Sequence, residues 1–492
     1  MLNTPEIKLA VVAVSRDCFP ISLSLRRRKE VVRFCKSRGL DIYEADTIIE
    51  NELDERKALA EVKASGANAL VIYLGNFGPE GPETLLAQEF GGPVMFAAAA
   101  EEDIEVLADD RGDAYCGMLN ASYNIGLRGL KPYIPQYPVG TAEEVAKMIE
   151  SFIPVATALI AVKKLKIFSF GPRPYDFLAC NAPIAQLFKL GINIQENSEM
   201  DLLDAYRKHD GDERIPALVK EMEEELASGN CHPGILPRLA QYELTLLDWA
   251  KDNKGAAEYF VFANKCWPAF ESFFGFVPCY VNSRLASRGI PVSCEVDIYG
   301  ALSEYIGQCV SGGCVTLLDI NNTVPRRMYE ESIAGKYAYS ETDVFMGFHC
   351  GNTPLCRLVE GKMSYQKIMK RSLEPDGEPD ITRGTLDGQI APSDITFFRL
   401  QSTADGQLRA YAAQGEILPV NPQSFGGIGV FAIPQMGRFY RHVLIEGRYP
   451  HHGAVAFGHV GKALFDVFKI LGVEEVSFNR PAGMLYSTEN PF

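Results

Sequence analysis

Two acids in this chain sit where a carboxylate is costly. Glu295 lies in Pro291-Val292-Ser293-Cys294-Glu295-Val296-Asp297, and Asp319 follows 24 residues later in Val315-Thr316-Leu317-Leu318-Asp319-Ile320-Asn321-Asn322. Both end or interrupt apolar, strand-like runs. An unpaired buried carboxylate is unfavourable by several kcal/mol, so two beside core strands require a partner, either a cation or a shared proton. Just upstream lie Cys266-Trp267-Pro268 and Pro278-Cys279, and far downstream Phe348-His349-Cys350-Gly351-Asn352 and Tyr449-Pro450-His451-His452. Asp297, two residues past Glu295, would point to the same side if the strand continues, a place for a group that orients its neighbours.

The elements that must position these residues read as α/β. Residues 7–14, 40–43, 69–73 and 93–97 are short apolar strands, separated by amphipathic helices over 23–37, 54–64 and 83–89, and a further helix begins at Thr141. Continuous Val/Ile/Leu runs alternating with helices imply a parallel sheet covered on both faces. A second such unit runs from the strand at 165–170 through 192–194, helices at 213–228 and 237–251, the strand 259–263 and a helix containing Trp267. Its last strands end at Glu295 and Asp319, where ligand sites of open α/β sheets lie. After about Pro325 short β pieces at 337–339, 395–401, 408–415 and 428–432 alternate with Gly/Pro turns, which predicts an antiparallel sheet or barrel. Residues 351–388 form a long excursion, and the chain closes with a strand at 453–457, a helix at 460–471 and a strand at 473–478. The expected architecture is α/β, with two Rossmann-like domains with parallel sheets (1–160 and 161–325) and a β-rich, barrel-like C-terminal domain (326–492).

The stretch from Lys265 to Asn322, with His349 and His452, resembles the L-fucose isomerase and L-arabinose isomerase superfamily, whose members interconvert aldoses and ketoses on a divalent metal. The resemblance implies that Glu295, Asp319 and His452 bind a manganese-type ion, His452 being a better match than its neighbour His451. Hard oxygen and nitrogen donors without a thiolate suit Mn²⁺, with Mg²⁺ or Co²⁺ as alternatives. Isomerisation through an ene-diol needs a Lewis acid across O1 and O2 and a base that moves a proton between C1 and C2. Glu295 is assigned as that base and Asp319 as its partner, with the roles open to exchange. For the sugar, Arg16 follows the first strand and Arg173 the first strand of the second unit. Trp267 offers an aromatic wall; His349, Asn352 and His451 complete the set. The monosaccharide substrate is left as L-fucose, an arabinose, or a C6-modified hexose such as sulfoquinovose, whose sulfonate Arg16 or Arg173 would face. Relatives complete their cleft with a neighbouring subunit, so a homo-oligomer, trimer or hexamer, is implied. Two other classes share features: a non-catalytic sugar-binding or regulatory protein on the same fold, and a metal-dependent hydrolase or aldolase.

Bulk properties narrow the field. At 492 residues the chain exceeds one hydrophobic core. A net charge of −15 argues against a nucleic-acid binder, which would show a basic stripe. No basic segment leads into a sustained apolar stretch at the N-terminus, and the apolar run 153–162 is too short to span a bilayer, so neither a signal peptide nor a membrane partner is expected. Twelve cysteines without paired CxxC units point to free thiols and a cytoplasmic location. Gly426-Gly427-Ile428-Gly429 lacks the Lys-Ser/Thr of a phosphate loop and is assigned to tight β turns.

Overall fold

Leu9–Val14 (β1), Ala69–Leu74 (β3) and Val94–Ala99 (β4) are strands in which every side chain is buried, the condition of a parallel sheet covered on both faces. The computed structural model describes residues 3–102 and 105–492. It divides into two compact units, residues 5–160 and residues 161–492, the second also taking in residues 3–4. In the first unit Ile42–Glu44 (β2) and Val139–Gly140 (β5) complete a parallel sheet of order β2-β1-β3-β4-β5. Helices Ile21–Ser37, Glu52–Ala64, Glu80–Phe90 and Ala114–Leu127 link the strands. Asn51 starts the second of these by accepting from the backbone N–H groups of Leu53 and Asp54. The helix Ala142–Lys163 is long and apolar enough to cross a membrane by length and composition, further than the run at 153–162 suggested. Most of its apolar stretch is buried, with Phe152 stacked on Tyr133, and Glu143 and Glu144 open its first turn; it is built as a core helix.

The second unit begins with another parallel sheet, β7-β6-β8-β9, from Leu165–Phe170 (β6), Asn193–Asn197 (β7), Tyr259–Ala263 (β8) and Val292–Ser293 (β9). Nine strands follow: Val315–Thr323 (β10), Val344–His349 (β11), Lys362–Tyr365 (β12), Arg383–Gln389 (β13), Ser393–Ser402 (β14), Leu408–Leu418 (β15), Gly427–Ala432 (β16), His452–Phe457 (β17) and Val476–Phe478 (β18). Their order is β12-β13-β16-β11-β10-β17-β14-β15-β18, and β15 also pairs back onto β16, through Glu416–Ala432, Ile417–Phe431 and Leu418–Val430. That pairing closes β16-β11-β10-β17-β14-β15 into a ring and leaves those strands no free edge. Two α/β sheets followed by a barrel-like β region is the architecture expected from sequence.

Several local readings change. The strand carrying Asp319 does not close the second parallel sheet; it runs antiparallel between β11 and β17 in the large one. An apolar strand reads the same in either sheet, so periodicity could not decide. Glu295 is not strand-terminal: β9 ends at Ser293 and a tight turn follows. Trp267 lies outside any helix, the next one being Phe270–Phe274, and residues 337–339 form no strand. Of the glycine run, Gly426 makes the turn with φ 78°, and Gly427–Gly429 already belong to β16.

Candidate metal centre

Glu295 is held by a strained turn. Glu295 and Val296 both adopt left-handed backbone angles, φ 63° and 57°, unusual for any non-glycine residue and most costly for β-branched valine. Asn264, at the end of β8, fixes the turn from both sides: its N–H donates to the Ser293 carbonyl at 3.0 Å and its own carbonyl accepts from Val296 N–H at 2.8 Å. The buried Asn264 side chain is locked in turn by reciprocal amide bonds with Asn282, 3.0 and 3.1 Å, and by the Tyr242 hydroxyl at 3.1 Å. Tyr242 packs edge-on against Phe270, Phe274 and Phe276, so an aromatic core stands behind the turn. The turn leads straight into helix Ile298–Ser311, whose first turn Asp297 caps by accepting from Gly300 N–H at 2.9 Å.

Asp319 and His452 are direct register partners across β10 and β17. His452 Nε2 lies 3.5 Å from Asp319 Oδ1 and 3.8 Å from Glu295 Oε2. The other ring nitrogen, Nδ1, is 2.9 Å from Asp297 Oδ2. Asp297 is clamped by the buried Arg399 guanidinium through two bonds of 2.8 and 2.9 Å. A carboxylate on Nδ1 fixes the ring and aims the Nε2 lone pair outward, the usual support for a metal-binding histidine. Burial works against charge on Asp297, yet Arg399 and His452 hold its carboxyl far below the usual range. His452 is likewise disfavoured as a cation by burial, but its bond to Asp297 and the surrounding acids raise it above its ordinary value. Asp319 is pushed up to about 7 by burial, with Glu295 adding repulsion and His452 opposing it. Burial also raises Glu295, against the pull of His452 and of the Trp267 indole.

Around this core sit the other residues singled out from sequence. His451 Nε2 is 3.8 Å from Asp319 Oδ1, with a side chain about one-third exposed where that of His452 is 1 % exposed. His349, at the end of β11, accepts from Cys350 N–H through Nδ1 at 2.8 Å, and burial holds it at about 3, hence neutral. Its proton is therefore on Nε2, a donor suited to a substrate oxygen. Gly351 then adopts φ 137° where a Cβ would strike Thr385 Oγ1, and this turn leads to the buried Asn352, whose Oδ1 has no hydrogen-bond partner. Trp267 faces Phe177 edge-on at 6.5 Å, and Phe177 packs on both His451 and His452 at 5.3 and 6.1 Å. Arg173 lies half-buried in the same loop as Phe177. Arg16 belongs to the other unit, 3.7 Å from Glu80 and over the Phe77 ring.

Three participants escaped sequence analysis. Arg399 sits mid-strand with no motif around it; a buried arginine opposite an acid can be recognised only in three dimensions. Phe177 precedes and Cys180 ends the short 3₁₀ turn Leu178–Cys180, Cys180 Sγ being 3.6 Å from His452 Nδ1. Burial keeps Cys180 a neutral thiol, and Asp297 is already committed to Arg399, so the donor side of His452 left open is Nε2. There the donor atoms of Glu295, His451 and His452, and those of Asp319, His349 and His452, gather within 4.8 Å of one another. Glu295 Oε2 and Asp319 Oδ1 are buried without a hydrogen-bond partner. Two orphaned acid oxygens facing an imidazole lone pair fit a hard divalent cation.

Residues 10–163 match the family model for the fucose/sulfoquinovose isomerase N-terminal domain, and residues 347–478 that for the L-fucose isomerase C-terminal domain. The chain belongs to the L-fucose isomerase-like family. Family relatives include a sulfoquinovose isomerase of Alkalicoccus urumqiensis, 25% identical over 345 residues that cover 68% of this chain and 70% of that protein. Another, from Priestia megaterium, is 26% identical over 333 residues, covering 65% and 66% respectively. As a member of this family the chain is an enzyme, an aldose–ketose isomerase acting on a sugar.

Proposed function

We propose that the isomerisation depends on a divalent metal of the manganese type, held by Glu295, Asp319 and His452, and that the substrate is a C6-modified hexose of the sulfoquinovose kind. The observation that carries this reading is the pair of buried, unpartnered oxygens on Glu295 and Asp319 facing His452 Nε2. When bound, the ion supplies Lewis acidity toward the sugar's O1 and O2 and offsets the repulsion between the acids. Glu295 takes the proton from one carbon and returns it to the other, and Asp319 handles the hydroxyl protons. Asp297 and Arg399 hold the His452 ring in place. His349 donates through Nε2 to a sugar oxygen, Asn352 and His451 add polar contacts, and Trp267 with Phe177 forms the apolar wall that keeps water from the ene-diol.

A cavity of about 450 Å³ opens beside the loop that carries Phe177 and Cys180, lined by Leu178, Asn181, Gln401, Arg448 and Pro450 among others. It is wide enough for a hexose, and Arg448 gives it a cation for an anionic C6 group. Arg173 serves the same end from the neighbouring loop, and Arg16 does so across a subunit boundary in a trimer or hexamer. The activity named for these relatives supports the sulfonated sugar over L-fucose and arabinose. Free thiols without disulfides support a cytoplasmic setting.

The test is incubation of metal-free and Mn²⁺-loaded protein with sulfoquinovose, L-fucose and L-arabinose in D₂O. Ketose formation with deuterium at C1 of the ketose, and at C2 of the recovered aldose, dependent on Mn²⁺ and fastest for sulfoquinovose, is the expected result. Equal turnover by protein shown to be metal-free would overturn the metal assignment, and preference for a neutral sugar would overturn the substrate.

A further inference from the structure

Away from the metal centre, Cys314 and Cys356 bring their sulfur atoms to 3.7 Å although 42 residues separate them. Cys314 immediately precedes β10, and Cys356 lies in the short turn Leu355–Arg357 that follows the His349–Asn352 segment. The neighbouring Arg357 donates through Nε to Cys314 Sγ at 3.2 Å, while its guanidinium rests on the Phe457 ring at 4.4 Å. Cys356 is exposed and Cys314 partly so. A sulfur with a thiol donor, a fixed guanidinium and solvent access has the surroundings of a reactive thiolate. The contrast within the chain is clear: burial pushes Cys35 up to about 11, and Cys309 higher still.

We propose that Cys314 and Cys356 are a redox-active dithiol that a hydroperoxide converts reversibly into a disulfide. The Cys314 thiolate attacks the peroxide O–O bond, which breaks; an alcohol or water leaves, taking up the proton that Cys314 gave up, and the sulfur becomes a sulfenic acid. The Cys356 thiol then attacks that sulfur, the S–S bond forms, and the hydroxyl departs with the thiol proton as water. Two electrons pass from the two thiols to one peroxide. The bond from Cys356 and the charge of Arg357 draw Cys314 down to about 6, and Cys356 is raised in return, which divides the roles of attacking and resolving thiol.

The sulfurs must close to about 2.05 Å. β10 is held between two strands, so the Leu355–Arg357 turn moves. That turn is tied to the core by Leu355 N–H donating to Ser283 Oγ at 3.1 Å, and just before it Thr316 donates to Thr353 Oγ1 at 3.3 Å. Oxidation therefore pulls on the chain directly after Asn352.

The experiment uses the reduced, full-length protein, desalted, exposed to equimolar hydrogen peroxide, alkylated and mapped by peptide mass spectrometry. A cross-linked Cys314–Cys356 peptide, lower in mass by two hydrogens and restored by dithiothreitol, is expected. In Cys356→Ser, dimedone should label Cys314. In Cys314→Ser, both the cross-link and the labelling of Cys356 should be lost. Alkylation of Cys314 followed against pH should have its midpoint near 6 and move upward in Arg357→Ala, a shift that a purely structural arginine would not cause. Circular dichroism confirms that each variant is folded. The proposal is overturned if folded wild-type protein oxidises at Cys18, Cys116 or Cys231 while Cys314 and Cys356 stay reduced, or if Cys356 is labelled equally with Cys314 absent.

Discussion

Glu295 and His452 come within 3.8 Å of each other, and substitution separates the duties proposed for them. Glu295→Gln keeps the size and one carbonyl donor but removes the base; kcat should fall by about 10³-fold or more, with Mn²⁺ content by elemental analysis reduced only in part. His452→Ala should instead weaken Mn²⁺ affinity, with activity partly recovered in excess Mn²⁺, because it removes a ligand that moves no proton. His451→Ala, whose ring is more exposed and lacks a carboxylate behind it, should be milder in a parallel Mn²⁺ titration; the reverse order would give the metal to His451. Asp297→Asn should weaken Mn²⁺ binding by about 10–100-fold at unchanged ligand count, since it loosens the ring that presents Nε2. Residue types alone suggested that Glu295 and Asp319 needed a partner, and the family resemblance added His452 and preferred it to His451. Arg399 was beyond such reading: its partner lies 102 residues away, and only the packing of helix Ile298–Ser311 on β14 brings the two together.

At the scale of elements, helix Ile298–Ser311 carries Asp297 at its start and a liability further along. Glu304 is 2 % exposed, its Oε2 has no hydrogen-bond partner, and burial, reinforced by Asp297, lifts its carboxyl to about 8. In the unfolded chain it ionises near the ordinary 4.5. A raised carboxyl contributes stability that is full below about 4.5 and is lost as pH rises toward about 8. Glu304→Gln should therefore leave urea stability little changed at pH 4 and raise it by ~2–4 kcal/mol at pH 8, flattening the profile between. An unaltered slope would mean that the native carboxyl ionises normally. Element boundaries in the parallel sheets were legible because buried runs such as 165–170 and 259–263 are framed by helices. The placement of β10 was not, because an apolar strand carries no mark of which sheet receives it. The turn at Glu295 was hidden for another reason: nothing in Cys-Glu-Val announces left-handed angles, which glycine or asparagine would have signalled.

For the molecule as a whole, a closed homo-oligomer should appear by light scattering at micromolar concentration; an active monomer would contradict the trimer or hexamer drawn from the family resemblance. The ring of six strands has a consequence for assembly of the chain itself. Asp319 and His452 meet only in one register of β10 on β17, since sliding by a single residue turns each side chain to the opposite face. Glu295 comes from the parallel-sheet side of the same unit, so the three donors come into place only after a long-range closure has succeeded. An ion that prefers this trio acts as an inspector of the finished fold, adding stability only to chains whose strands have locked correctly. At a hundredfold excess over its dissociation constant that reward is about 2.7 kcal/mol. Mn²⁺ should accordingly raise the melting temperature of the wild-type protein, and Asp319→Asn should erase most of the increment even where its own strands remain paired. Cells short of the ion would then hold not just slower copies of this protein but more of them with an unfastened barrel.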